Sequence, residues 1–122
     1  DDYYIVVQHR THLGIMSADP VDIFCGGSYI YWDFSLQDSY RPFAFRVGEK
    51  QMSNGKWVMY AANGDQLSSI AAINSTDHTV WKNYQNFQGY YPSDYNMDVI
   101  TNSADETVWK LNQNKTTAVI FY

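Results

Sequence analysis

Two stretches near the carboxyl end of the chain are near-copies, and this internal repeat most constrains the fold. Residues 73–82 read INSTDHTVWK, and residues 101–110 read TNSADETVWK, 28 positions later. Trp32 and Trp57 continue a similar spacing toward the amino end, with 25, 24 and 28 positions between successive tryptophans. Repetition of this kind is typical of folds in which like units share one core. At this length we expect a single domain over residues 1–122.

The hydrophobic pattern alternates with period two, which favours strands, and turn signals such as Asn54-Gly55 recur at short intervals. Each repeat reads as a strand end, a polar turn and a new strand that opens on Thr-Val-Trp-Lys. We therefore predict an all-β domain of about twelve short antiparallel strands in three sets of four. The predicted strands are 3–8, 13–18, 21–25 and 29–36; 43–47, 56–62, 67–73 and 79–84; 88–91, 97–101, 107–112 and 117–122.

Charge and composition exclude several classes of partner. The net charge is −5 and the chain has only 8 Lys and Arg residues, which are scattered. Nucleic acids and anionic membrane surfaces both require clustered basic residues, so neither is an expected partner. The apolar runs are too short for a predicted membrane span. A single cysteine, Cys25, excludes an internal disulfide.

The sequence gives no catalytic pattern, and we predict a protein that is not an enzyme and needs no cofactor. His9 and His12 are three residues apart, so an extended strand directs them to opposite faces, which makes a poor metal pair. Asp19, Asp22 and Asp33 are close in sequence, but acidic residues in turns usually cap and solvate. No nucleophile, phosphate-binding or dinucleotide-binding motif is present.

Aromatic residues are in surplus, at 17% of the chain, and they concentrate with amides in residues 83–96. A sugar presents a C–H face that a ring can cover and hydroxyl groups that carboxylates and amides can bind. We therefore predict a sugar-binding surface in this segment. Its residues are Tyr84, Asn86, Phe87, Tyr90, Tyr91, Asp94, Tyr95 and Asn96. Tyr29, Tyr31 and Asp33, on the polar side of a predicted strand, form a second patch.

These features favour a non-catalytic, lectin-like protein that binds glycans or a glycoprotein. Self-association into a homo-oligomer would add the multivalency that weak sugar sites need. The alternative is a protein-interaction module, such as a secreted inhibitor, a toxin or an effector component, because Tyr-rich and Asn-rich loops also bind proteins. The tripeptides Asn74-Ser75-Thr76 and Asn114-Lys115-Thr116 are N-glycosylation signals, and they favour a secreted protein.

The three sets of strands resemble a β-trefoil. Residues 3–7, YYIVV, and residues 31–34, YWDF, are similar to one unit of the ricin-B-type trefoil lectins. The resemblance implies up to three shallow sugar sites, each built from an acidic residue, an amide and an aromatic ring. The Gln-x-Trp signature of that family is absent at all four tryptophans.

Two other families share shorter patterns with the chain. The repeated Asp-x-Thr-Val-Trp-Lys is similar to tectonin-like propeller repeats. Residues 64–70, GDQLSSI, resemble the calcium-binding turn of βγ-crystallins, and residues 86–89, NFQG, their hairpin. The crystallin resemblance implies a Greek-key fold with Asp65 and Ser68 as calcium ligands. It gives a third expected function, that of a calcium-stabilised structural protein.

Overall fold

The computed structural model describes residues 1–23, 31–65 and 71–119. This part of the chain contains six short strands and two ten-residue helices. In chain order they are β1 Asp2–Tyr3, β2 Val6–His9, β3 His12–Met16, β4 Val21–Asp22, β5 Glu49–Gln51, β6 Trp57–Met59, α1 Ser75–Tyr84 and α2 Ser103–Asn112. The strands form antiparallel pairs, β1 with β4, β2 with β3 and β5 with β6.

The two repeats are helices, so the strands predicted at 79–84 and 107–112 are wrong. Asn74 and Asn102 are the N-caps: their side chains accept hydrogen bonds from the backbone N–H of Thr76 and Ala104. In each repeat an aspartate three residues after the cap accepts the N–H of the cap in return. This reciprocal capping box starts each helix and overrides the strand preference of the Thr-Val-Trp run that follows.

The prediction of an all-β domain of about twelve antiparallel strands is confirmed only in part, as small antiparallel strand pairs beside two helices. The segments 88–91 and 97–101 share one isolated bridge, Gln88 with Ile100, and are not strands. The described residues of the segment 29–36 form a turn instead of a strand, because the Asp33 carboxylate accepts the N–H of Ser35. Residues 43–47 also form a turn, in which Arg46 donates its N–H to the Phe43 carbonyl. The β-trefoil and its crystallin-like and propeller-like alternatives stay predictions.

The hydrophobic core joins the β2–β3 hairpin to the first helix. Its buried members are Leu13, Ala62, Ala71, Ile73, Trp81 and Tyr95. The chain from β6 crosses the hairpin, since Leu13 N–H donates to the Tyr60 carbonyl at 2.8 Å. Full burial of a side chain such as Leu13 contributes about 1.5–3 kcal/mol, so this core ties the amino-terminal hairpin to the repeats.

Residues 71–89 and 99–117 form a reciprocal pair, in which each repeat bonds to the chain that follows the other helix. Ile73 exchanges backbone hydrogen bonds with the segment after α2, and Thr101 makes the matching exchange after α1. Ala72 bridges to Thr116, and Ile100 bridges to Gln88. All of these partners are 28 positions apart between the two copies. The sequence repeat is therefore a structural repeat.

The tryptophans complete the exchange. Trp81 Nε1 donates to the Asn102 carbonyl at 2.7 Å, and Trp109 Nε1 donates to the Asn74 carbonyl at 2.8 Å. Each indole thus bonds the N-cap residue of the opposite helix. The ring of His78 stacks between the two indoles, with centroids 5.3 Å from Trp81 and 4.3 Å from Trp109. These contacts hold the two helices in one arrangement.

In the described ranges, neither ten-residue helix has the length or the apolar composition that a membrane-spanning helix needs.

Candidate metal centre

Oxygen-bearing side chains recur at fixed spacing in the segment that leads into α2. Residues 94–105 read DYNMDVITNSAD, with Asp94, Asn96 and Asp98 at alternate positions and Asp105 at the twelfth. Twelve-residue calcium loops take ligands from positions 1, 3, 5, 7, 9 and 12. Here positions 1, 3, 5 and 12 all carry carboxylate or amide oxygens.

The fold brings the three carboxylates of this segment together. Oxygen atoms of Asp94, Asp98 and Asp105 all lie within 4.8 Å of one another. Asp94 and Asp105 are fully buried, and Asp98 is exposed. The cluster therefore has a buried floor and an opening to solvent, and its donors are the hard oxygens that Ca²⁺ prefers.

Backbone N–H groups hold two of these carboxylates in place. The Asp105 carboxylate accepts from Tyr95 at 2.7 Å and from Asn96 at 3.1 Å, as well as capping α2. The Asp94 carboxylate accepts from the N–H groups of Asp98 and Val99, both at 3.0 Å. A carboxylate has about four lone-pair sites, so these bonds leave capacity for a cation.

The backbone of the segment is bent in the way that such loops require. Val99, the sixth residue, has φ of 73°, and Met97 has φ of 61°. Calcium loops place an invariant glycine at the sixth position because the chain turns sharply there. A β-branched residue adopts this conformation only when its surroundings impose it. The sharp turn is thus present without the glycine.

The first repeat has the same anchor and a different loop. The Asp77 carboxylate accepts from Gly64 at 2.8 Å, from Asp65 at 3.2 Å and from the cap residue Asn74 at 2.7 Å. Burial raises the pKa of Asp77, against the hydrogen bonds that favour its charged form. Asn63 stands where the second loop has Asp94, and its buried Oδ1 has no hydrogen-bond partner.

Tyr95 connects the two loops. Its N–H donates to Asp105, and its hydroxyl donates to the backbone carbonyl of Asp77 at 2.7 Å. Burial, followed by the nearby Asp77 charge, raises the pKa of the Tyr95 hydroxyl. The phenol therefore stays protonated and acts as a structural donor.

No family model, curated protein or solved structure matches this chain.

The predicted sugar-binding residues divide into an exposed group and a buried group. Tyr84, Phe87 and Tyr91 form one ring cluster, with centroids between 4.9 and 5.9 Å apart. Beside it in sequence lies Tyr90, which is 82% exposed. Asn86 is also exposed, with φ of 70°.

The other predicted sugar ligands belong to the carboxylate cluster. Asp94 and Tyr95 are 0% and 1% exposed, so neither offers a surface to a sugar. Asn96 is exposed, and its side-chain amide donates to the Asp98 carboxylate at 3.0 Å. The structure therefore assigns these three residues to the loop.

The second predicted sugar patch and the predicted calcium ligands lie partly outside the described residues. Tyr29 and Ser68 lie outside the described residues. The Tyr31 hydroxyl donates to Asp33 at 3.0 Å, and this bond raises the pKa of Tyr31. Asp65, the other predicted calcium ligand, donates its backbone N–H to Asp77.

Sequence reasoning missed Asp98 and Asp105 as members of a site. The signal was present in the spacing Asp-x-Asn-x-Asp followed by an aspartate seven positions after Asp98. Two features obscured it: valine replaces the usual glycine, and aspartate replaces the usual final glutamate. The strand predicted at 107–112, where the structure has α2, also gave no reason to expect Asp105 beside the loop.

Proposed function

We propose that residues 94–105 bind a divalent cation, with Ca²⁺ as the best match, and that this chain is a cation-stabilised binding module. The observation that carries the proposal is the convergence of Asp94, Asp98 and Asp105 within 4.8 Å. Their spacing in sequence supplies oxygen donors at the positions that a calcium loop uses.

The donor set favours Ca²⁺ over softer metals. Carboxylate, amide and backbone carbonyl oxygens suit Ca²⁺, Mg²⁺ and Mn²⁺, whereas Zn²⁺ and Cu²⁺ prefer histidine and cysteine. The flexible geometry of Ca²⁺ tolerates an irregular set of ligands, whereas Mg²⁺ demands a near-ideal octahedron. Ile100, at position 7, would contribute its carbonyl oxygen.

Local charge supports the same proposal. In the described part of the chain, the ion pair at this cluster joins Arg10 Nη2 to Asp94 Oδ2 at 4.0 Å. That guanidinium is paired with Asp94, one of three clustered carboxylates, two of which are buried. At such separations like charges repel strongly in a partly buried setting. A bound cation would offset this repulsion and fix the loop against α2.

Thermal unfolding with Ca²⁺ or with chelator tests the proposal. We expect Ca²⁺ to raise the Tm, because a ligand at a hundred times its Kd stabilises the folded state by about 2.7 kcal/mol. Asp98→Ala should abolish the shift. Asp33→Ala is the matched control, since both carboxylates accept the N–H of the residue two positions on. A Tm that does not change on addition of Ca²⁺, or an equal Ca²⁺-induced Tm shift in the two variants, would rule out the site.

A second candidate function, glycan binding, is favoured by the exposed rings beside the loop. Tyr90 is 82% and Phe87 is 48% exposed, and Asn86 lies next to them with an exposed amide. Such rings can cover the C–H face of a sugar. A glycan array probed with the parent and with Tyr90→Ala tests this candidate. We expect a coherent family of hits that the variant loses, and a blank array would favour a protein partner.

A further inference from the structure

An open cavity of about 480 Å³ lies between the β2–β3 hairpin, the β5–β6 hairpin and the loop of residues 94–105. Its volume falls within the range of pockets that hold small molecules, roughly 300–1,000 Å³. Most of the wall is apolar. The main apolar residues are Val7, Ile15, Phe34, Trp57, Met59 and Met97.

Four polar side chains converge on the same cavity. They are His9, His12, Ser35 and Glu49. Glu49 is 3% exposed, and its carboxylate accepts a hydrogen bond from the Ser39 hydroxyl at 2.6 Å. A mostly apolar pocket with a few converging polar groups is the usual form of a small-molecule site.

The side chains of His9 and His12 meet across the β2–β3 turn, so the expectation that they point to opposite faces is wrong. Their hydrogen bonds favour one tautomer of the pair. The N–H of Thr11 lies 3.3 Å from His9 Nδ1, and a backbone N–H can only donate. His9 Nδ1 is therefore an acceptor. His12 Nδ1 lies 2.8 Å from the same atom and 2.9 Å from the Thr11 hydroxyl oxygen, and with the proton on this nitrogen it can donate to either acceptor. A neutral imidazole protonated at Nδ1 has Nε2 as its acceptor.

The His12 imidazole is uncharged at neutral pH. Burial, and then the neighbouring His9, lower the pKa of His12 to about 4. Its Nε2 is thus an acceptor over the physiological range. An ionic ligand would have to be desolvated against this apolar wall, whereas a neutral one with a single donor group would not.

We infer that the cavity binds a neutral phenolic compound, whose ring packs among Phe34, Trp57 and Met59 and whose hydroxyl donates to the His12 imidazole. Aromatic rings gain from offset or edge contacts with Phe and Trp. Methionine sulfur adds a favourable contact at the ring edge. This inference uses no part of the cation-binding proposal, although Met97 of the loop contributes to the wall.

Fluorine NMR with two matched probes tests the inference. 4-Fluorophenol carries the hydroxyl donor, and fluorobenzene has the same ring without it. We expect 4-fluorophenol to bind at millimolar concentration or below, about tenfold more tightly than fluorobenzene, as one added hydrogen bond predicts. If neither probe binds, the cavity is not a small-molecule site and the inference is overturned. Equal affinities would overturn the role of the hydroxyl.

Variants locate the binding. Val7→Trp should fill the cavity and weaken the binding of 4-fluorophenol at least about tenfold. If this variant does not fold, Met97→Trp, at a 53% exposed position, provides the same test. Leu111→Trp adds the same ring on α2 at a residue that is 69% exposed, and it should change nothing. His12→Phe should remove the preference between the probes. Unchanged affinity in both cavity variants would contradict the inference.

Discussion

The two repeats share one helix design and differ in the loop that precedes it. Both use an asparagine cap, an aspartate in the first turn and a tryptophan that bonds the opposite cap. In the second repeat the preceding loop adds Asp94, Asn96 and Asp98, whereas the matching hydrogen bonds of the first repeat place Asn63 where the second has Asp94 and Asp65 where it has Asn96.

The difference separates two roles that the aspartates of the first turn can play. In the described part of its loop, Asp77 accepts hydrogen bonds from the backbone N–H groups of Gly64 and Asp65, and burial raises its pKa. Asp105 makes the same kind of bonds and also lies beside two further carboxylates. A capping aspartate therefore starts the helix in both repeats, and among the described residues the carboxylate cluster of the proposed cation site belongs to the second repeat.

The largest effect is expected from removing each first-turn aspartate. Asp77→Ala and Asp105→Ala each leave three N–H donors without their acceptor, and a buried unsatisfied group costs about 1–3 kcal/mol. Urea unfolding in chelator should show a loss of about 3 kcal/mol or more for both. Added Ca²⁺ should restabilise Asp77→Ala and leave Asp105→Ala unchanged. Rescue of both variants would erase the distinction between the repeats.

A smaller effect is expected from the exchanged tryptophan bonds. Trp81 is 6% exposed, while Trp109 is only half-buried. Trp81→Phe should cost about 1–2 kcal/mol, because it removes a buried hydrogen bond and opens space in the core. Trp109→Phe should cost less, about 1 kcal/mol or below. Urea unfolding measures the loss of stability in both variants. A larger loss for Trp109→Phe would show that the second helix contributes more to the core than the first.

The pH dependence of folding stability should reflect the titration of Asp77 in the first repeat. Its folded pKa is raised by burial, so its contribution to stability is complete below the usual carboxyl pKa of 3.8 and is lost as pH rises through the folded value. Asn at this position mimics the protonated form. The stability of Asp77→Asn relative to the parent should therefore increase as pH rises above about 4. A difference that is flat with pH would contradict the burial of the charge.

The smallest effect is expected at the contact between equivalent positions of the two helices. His78 Nε2 lies 3.0 Å from Glu106 Oε1, and this bond, with Lys110, lowers the pKa of Glu106. The contribution of Glu106 is present above its usual pKa of 4.5 and is lost as pH falls through the lowered folded value. Glu106→Gln should shift the urea midpoint slightly at pH 6 and less in high salt. A shift of the urea midpoint that salt does not reduce would show that Glu106 contributes through packing and not through charge.

The repeat and part of the strand pairing could be predicted from the sequence, but the type of element in the repeats could not. The 28-residue repeat and the hairpin strands near 3–8 and 13–18 follow from the spacing of apolar residues. Thr-Val-Trp favours a strand locally. The helices form because Asn74 and Asp77, with Asn102 and Asp105, close capping boxes whose effect outweighs that preference.

The candidate site was harder to predict because its donors needed the correct helix start. Once α2 begins at Ser103, Asp105 turns back toward the loop that contains Asp94 and Asp98. Tyr95 was predicted at the surface with the other tyrosines of its segment. Its hydroxyl is buried instead because it satisfies the carbonyl of Asp77, a contact between distant parts of the chain that local patterns do not reveal.

Calorimetric titration of the metal-free protein with Ca²⁺ tests the central claim most directly. We predict a single site per chain, with binding that is lost in Asp98→Ala and retained in Asp33→Ala. That stoichiometry would show that one repeat binds the cation while the other relies on its capping aspartate. Two equivalent sites, or no binding at millimolar Ca²⁺, would contradict the account.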